Sequence, residues 1–175
     1  MDRVEKKLNI IEMEVRIKRL TDNAVLPAYA TDGSAGMDLT ATSVEVDSYG
    51  CKVYHTGLAF EIPDGYVGLV FPRSSNAKKN LRLTNCVGVI DSDYRGEVTM
   101  KFKTDLKIAK AVKKLVGFLR FANVLEIHNI WGKDYEVGDK IGQMIILPYP
   151  HIEWIVAEHL SETERGAGGY GSTGK

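Results

Sequence analysis

The chain has few of the features that announce a specialised class. Its 175 residues include two cysteines, Cys51 and Cys86, too few for the disulfide framework that staples small secreted domains. Both sit in apolar, strand-like sequence, which predicts buried free thiols in a reducing compartment. No run of about 18 apolar residues occurs, so no membrane-spanning helix is expected. The opening Met1-Asp2-Arg3-Val4-Glu5-Lys6-Lys7 is charged and lacks the apolar core of a secretory signal. A cytoplasmic protein is expected. Lysine plus arginine (23) equals aspartate plus glutamate (23), so no global basic field argues for nucleic acid. The four histidines, His55, His128, His151 and His159, show no metal-ligand spacing and read as ordinary surface or strand residues.

What is present is a β pattern. The length suits one domain with a core of its own. Glu14 to Leu20 alternates with period two, as a half-buried strand does. Ala35–Ala41, Val44–Val46, Lys52–Tyr54, Leu58–Pro63 and Tyr66–Phe71 follow at short spacing, punctuated by glycine and proline. Leu81–Ile90, Glu97–Lys103, Lys140–Leu147 and His151–His159 extend the series. Asp64-Gly65 signals a hairpin turn, and Ser74 to Asn80 reads as one helical turn or a loop. An all-β barrel or sandwich is expected.

Two segments depart from this pattern. From Lys107 to Leu119, the apolar residues Ile108, Ala111, Val112, Leu115, Val116 and Leu119 fall at helical spacing with lysines on other faces. This amphipathic helix is expected within an insertion spanning 104–137, far longer than the ~2–5 residues of a hairpin loop. A packed accessory helix, a partner-binding helix and a membrane-surface helix all fit it. The glycine-rich end, Arg165 to Lys175, has too few side chains to hold a fold and reads as a mobile arm. Gly169 to Lys175 copies the opening of a P-loop. However, it lacks the hydroxyl residue after the lysine and the helix that a P-loop needs. Its glycines and hydroxyls still suit a polyphosphate wrapped by an arm.

The most informative stretch is Gly88-Val89-Ile90-Asp91-Ser92-Asp93-Tyr94-Arg95-Gly96-Glu97-Val98. Polar residues between two β-prone runs read as a hairpin, with Asp91 at the end of an apolar strand and Tyr94 at the bend. Beside Val89 and Ile90 the carboxylate is expected to be partly desolvated, which suits a proton acceptor if a partner keeps it ionised. A turn aspartate that caps its own backbone fits the same residues.

Five short motifs stand in order. They are Ala35-Gly36-Met37-Asp38-Leu39; Pro72-Arg73-Ser74-Ser75; Gly88 to Gly96; Gly138-Asp139-Lys140-Ile141-Gly142-Gln143-Met144; and Arg165 to Gly174. Together they resemble the five motifs of the homotrimeric dUTPase family, from about Glu14 to Lys175 with the insertion excepted. The resemblance implies a distorted jelly-roll β-barrel and a single domain over 1–175, with a 104–137 insertion and a 165–175 arm. It implies a homotrimer with shared active sites, and hydrolysis of dUTP to dUMP and pyrophosphate with Mg²⁺ on the triphosphate. Such an activity keeps uracil out of DNA and supplies dUMP for thymidylate synthesis. The expected location is the cytoplasm, or a host's cytoplasm for a viral or phage gene.

The resemblance also implies roles. Asp91 resembles the base that activates water, and Tyr94 the residue under the deoxyribose. Asn85, Gly88, Val89, Ile90 and Thr99 would line the uracil site. Arg73, Ser74 and Ser75 would bind phosphates, with Ser74 near the oxygen bridging the α- and β-phosphorus. Gln143 would hold a phosphate oxygen or the water, and Asp38 would reach the Mg²⁺ through a water. In the arm, Arg165, Gly171, Ser172 and Thr173 would clamp the γ-phosphate while Tyr170 stacks on uracil. Ser75 stands where the family more often has glycine, and Tyr170 where it usually has phenylalanine. The runner-up enzyme is a dCTP deaminase. An interaction protein that uses the insertion to bind a regulator is a reading from another class, and nucleic-acid binding is the least expected.

Overall fold

The computed structural model describes residues 13–79, 81–104 and 134–169. Among them, eleven strands form three sheets. The first sheet pairs β1 (Arg16–Arg19) with β6 (Leu58–Glu61). The second runs β4 (Ser43–Val46), β5 (Lys52–His55), β10 (Thr99–Thr104) and β8 (Leu81–Leu83). The third runs β2 (Ala28–Tyr29), β3 (Met37–Thr40), β11 (Lys140–Pro148), β7 (Tyr66–Pro72) and β9 (Gly88–Ile90). Every pairing is antiparallel. The result is the distorted jelly-roll barrel that the motifs imply. No described helix is long and apolar enough to cross a membrane.

The core follows from period-two alternation. On β10, Met100 and Phe102 point inward while Thr99, Lys101 and Lys103 face out. Leu39, Tyr54, Leu58, Ile141 and Met144 meet them in one buried cluster. Gly142 lies against Met100, where a Cβ would stand 2.2 Å from the sulfur. Glycine is therefore what lets β11 cross the core at that point.

Several local readings need correction. The Asp64-Gly65 turn does form, with Gly65 at φ +81°, but β6 and β7 belong to different sheets, so it is no hairpin. Gly88–Val98 likewise passes from β9 in the third sheet to β10 in the second. Turn residues fix a local reversal, and the flanking strands then take whichever partners bury their apolar faces. Leu81–Ile90 is broken into β8 and β9 around Cys86, which adopts the left-handed φ of 61°. Cys86 is exposed, against the expectation, whereas Cys51 is buried; both are free. His151–His159 is not a strand, and its backbone finds no strand partner among the described residues. Ser74–Lys78 forms a short 3-10 helix. The expected 107–119 helix lies outside the described residues. Of the 104–137 connection, the described returning end contributes Tyr135 to the core.

Candidate functional site

One group of implied residues lies where β3, β11 and β7 run side by side. Gln143 is in register with Asp38 on one neighbour and Phe71 on the other, so all three share a face of the sheet. Arg73, two residues past Phe71, continues that face. The register shifts between Lys140 and Gly142, a bulge of the kind that re-aims side chains beside functional sites. Gly36 leaves space for Gln143, whose Oε1 would lie 3.0 Å from a Cβ there.

Asp38 organises this group. Its Oδ1 is 2.9 Å from Arg73 Nε, and its Oδ2 is 2.8 Å from Lys140 Nζ. The Asp38 side chain is only 11% exposed, so solvent weakens these ion pairs little. The Lys140 amine is off the hydrogen-bonding direction, leaving the buried Oδ2 with a charge partner but no directed hydrogen bond. One carboxylate held between two cations leaves a net positive face on which an anion can settle.

Ser74 and Ser75 open the 3-10 helix that follows Arg73, with no acidic residue in its first turn. Tyr135, which the sequence reading did not single out, staples that helix to the core. Its hydroxyl donates to Asn76 Oδ1 at 3.1 Å, and Asn76 Nδ2 donates to the Leu81 carbonyl at 2.9 Å. Its ring packs edge-on to Tyr54 at 5.8 Å and tilted to Phe102 at 5.6 Å. Lys79 Nζ lies 4.6 Å over the same ring and donates to the Asp134 carbonyl at 2.9 Å. Burial pushes the Tyr135 hydroxyl above the usual tyrosine range, opposed by the charge of Arg73 and the nearby Ser75 hydroxyl. The 3-10 helix is therefore tied through Asn76 to the end of the 104–137 connection.

The second group surrounds the turn after β9. Tyr94 N–H donates to the Asp91 carbonyl at 3.2 Å and closes the turn. Val89, Ile90, Asp91, Tyr94, Glu97, Val98 and Thr99 line a cleft of about 240 Å³. The Tyr94 ring lies on Gly96, where a Cβ would be 2.4 Å from its hydroxyl oxygen. Asn85 sits before β9, its amide 3.7 Å from where a Gly88 Cβ would be. The expected desolvation of Asp91 by its neighbours is not found among the described residues. Asp91 is exposed and Val89 is 60% exposed, because β9 is the edge of its sheet among the described residues.

These two groups do not meet. Ile90 is in register with Gly68, so Asp91 comes opposite Val67, six residues before Arg73. At ~3.3 Å per strand residue that separates them by about 20 Å. Arg165 stands elsewhere again, in an exposed turn where its Nε donates to the Gly168 carbonyl at 2.8 Å. Tyr170, Gly171, Ser172 and Thr173 lie outside the described residues.

No cluster of three or more His, Cys, Asp or Glu side chains occurs among the described residues. With Asp38 engaged by two cations, the donor set does not suit a metal caged by protein. It fits a Mg²⁺ carried by phosphates, an ion that keeps several waters and tolerates one remote carboxylate.

A protein-family model, dUTPase, matches residues 22–114. The deoxyuridine 5'-triphosphate nucleotidohydrolase of Nautilia profundicola is 38% identical over 93% of this chain and 100% of its own. A mutant of the Staphylococcus bacteriophage 80alpha dUTPase, solved with dUpNHpp, superposes with a TM-score of 0.69 at 25% identity. That match covers 93% of this chain and 99% of the other. A mutant dUTPase from S. aureus phage phi11 that coordinates a structural Mg(II) ion shares the fold, with a TM-score of 0.61 and 23% identity. It covers 84% of this chain and 98% of the other. With the fold and the extent of these matches in agreement, the chain belongs to the dUTPase family.

Proposed function

We propose that the protein hydrolyses dUTP to dUMP and pyrophosphate, at sites that two or more copies of the chain build together. The observation that carries this reading is the division of the site. The attacked α-phosphorus is bonded directly to the oxygen that leaves, so the base Asp91 and the phosphate contact Ser74 must act on neighbouring atoms. Within one chain their elements are about 20 Å apart at the strand rise. A second copy that brings its Asp91 turn to the Arg73 face satisfies both, in a closed ring such as a trimer. The segment after β11 favours such an assembly. Trp154, Ile155, Val156 and Leu160 are each at least 86% exposed, more apolar surface than an isolated chain leaves uncovered.

In this reading Asp91 accepts a proton from water as its oxygen bonds to the α-phosphorus. The bond to the bridging oxygen breaks, and pyrophosphate leaves with the charge. Ser74 donates to that oxygen, while Arg73 and Gln143 orient the phosphates before reaction. Thr99, Asn85 and the Gly88–Ile90 backbone hold the uracil edge, and Tyr94 packs under a sugar that lacks a 2′-hydroxyl. Arg165, Ser172 and Thr173 close over the γ-phosphate, with Tyr170 on the base. A bound Mg²⁺ would sit on the triphosphate, with Asp38 reaching it through water, and would supply charge neutralisation there. The covering copy also supplies the desolvation that Asp91 lacks alone. Clearance of dUTP and provision of dUMP in the cytoplasm would be the physiological outcome. The 104–137 insertion is free to serve a regulatory protein partner, with neither membrane nor nucleic acid involved.

The test is product release from purified protein with Mg²⁺, offering dUTP, dTTP, dCTP and UTP separately. Pyrophosphate from dUTP alone, lost in Asp91→Asn, is the expected result. Ammonia from dCTP would replace this reading with a deaminase, and inertness toward all four would remove the catalytic reading.

A further inference from the structure

Glu97 and His55 have no part in the reaction described so far, yet they meet at the back of the nucleoside cleft. Glu97 follows Tyr94-Arg95-Gly96 and lines the cleft itself. Its Oε1 accepts the Gly57 N–H at 2.7 Å, and its Oε2 lies 2.8 Å from His55 Nδ1. Its main-chain carbonyl accepts the Tyr94 hydroxyl at 3.0 Å. One residue thus ties the ring of Tyr94, on one side, to the β5–β6 turn on the other.

That turn is a firm anchor. Gly57 is in the left-handed region at φ +67°, and a Cβ there would come within 2.3 Å of Thr21 Oγ1. Thr56, fully buried, donates its hydroxyl to the Val98 carbonyl at 2.6 Å, and Val98 N–H donates to the Leu58 carbonyl at 2.9 Å. The ring has two supports in this arrangement: Gly96 beneath it and the Glu97 carbonyl at its hydroxyl. Where Glu97 sits therefore fixes where the ring sits.

We propose that Glu97 and His55 are positioning residues that hold Tyr94 against the sugar, and so set how strongly the enzyme rejects ribonucleotides. The inference rests on the dUTPase reading of the cleft. Exclusion of one hydroxyl by a wall depends on the placement of that wall, and a displacement of about 1 Å can change rates on the order of a hundredfold. The charged groups facing His55 are Glu97 before β10 and Glu45 on β4, the latter 3.7 Å from Nε2. Both favour the imidazolium, and the hydrogen bond to Glu97 is the main cause that raises the His55 pKa. The tie is therefore strongest when His55 is protonated and weakens as pH rises through that raised value.

The measurement is kcat/KM for dUTP and for UTP across pH, with the thermal midpoint of each variant as a control on folding. Glu97→Ala should lower the dUTP-to-UTP ratio by about tenfold or more, chiefly through gain on UTP. Glu97→Gln, which keeps an acceptor for Gly57, should recover part of it. Tyr94→Phe should lower the ratio similarly, and adding it to Glu97→Ala should change little more. The wild-type ratio should decline at high pH, and His55→Asn should remove that decline. No dUTP turnover by folded wild type would overturn the reading of the cleft itself. Normal dUTP turnover with an unchanged ratio in Glu97→Ala would overturn this inference alone.

Discussion

The phosphate-side group and the nucleoside-side group occupy one sheet but are built differently. Asp38 and Gln143 lie on adjacent strands and Arg73 one residue past the third, with both neighbours of β11 in place and Asp38 clamped by two cations. Asp91 and Tyr94 lie beyond an edge strand, exposed, held by a turn hydrogen bond and by the tie through Glu97. The first half is preorganised within one chain. The second presents its groups outward, and in the proposed function another copy completes it. The proposed phosphate contacts can thus be assembled from one chain, whereas the proposed base needs a second.

Substitutions at the two halves should break this contrast in graded fashion. The largest effect is expected at Asp91. Asp91→Asn should cut kcat by about 10²–10⁴-fold with the thermal midpoint unchanged, since the side chain is exposed and steady-state kinetics beside a melt separate the two. Arg73→Ala should act mostly on KM, raising it by about tenfold or more, because its contacts serve bound substrate and transition state alike. It should also cost some stability, since Asp38 would keep only Lys140. Tyr135→Phe keeps the ring among Tyr54 and Phe102 but leaves Asn76 Oδ1 without its donor. A loss of about 0.5–1.5 kcal/mol in urea melts and a few-fold rise in KM are expected. The smallest effect is the pH dependence of stability. The raised His55 pKa contributes stability that is fully present below the unfolded-state value and is lost as pH rises through the folded value. Melts between pH 6 and 9 should show a shallow decline that His55→Asn abolishes.

The sequence made some of this legible and hid the rest for physical reasons. Strand positions followed from alternation, as on β10, where each inward residue is buried. Sheet partners did not, because a turn signal such as Asp64-Gly65 specifies a reversal and says nothing of who pairs with whom. The same gap misplaced the Gly88–Val98 turn as a hairpin and misjudged the exposure of Asp91 and Cys86. The His151–His159 stretch has β-like sequence without a partner strand among the described residues. Asp38, Arg73 and Gln143 were found through short motifs, and the sheet brings them to one face. Tyr135 and the Glu97–His55 pair were missed because they join positions 59 and 42 residues apart by side chains of ordinary type. No local spacing encodes such a contact.

The sharing of sites between copies is tested most directly by mixing two impaired variants and assaying them at dUTP far below KM, where both fall well short of wild type. Asp91→Asn and Arg73→Ala chains, differently tagged, would be co-expressed, purified through both tags and assayed for pyrophosphate release from dUTP. If each site takes Asp91 from one copy and Arg73 from another, hybrid trimers freed of homotrimers by the two tags should recover activity at about one site in three. Hybrids no more active than the average of the two parents would place both groups in the same chain and contradict the account.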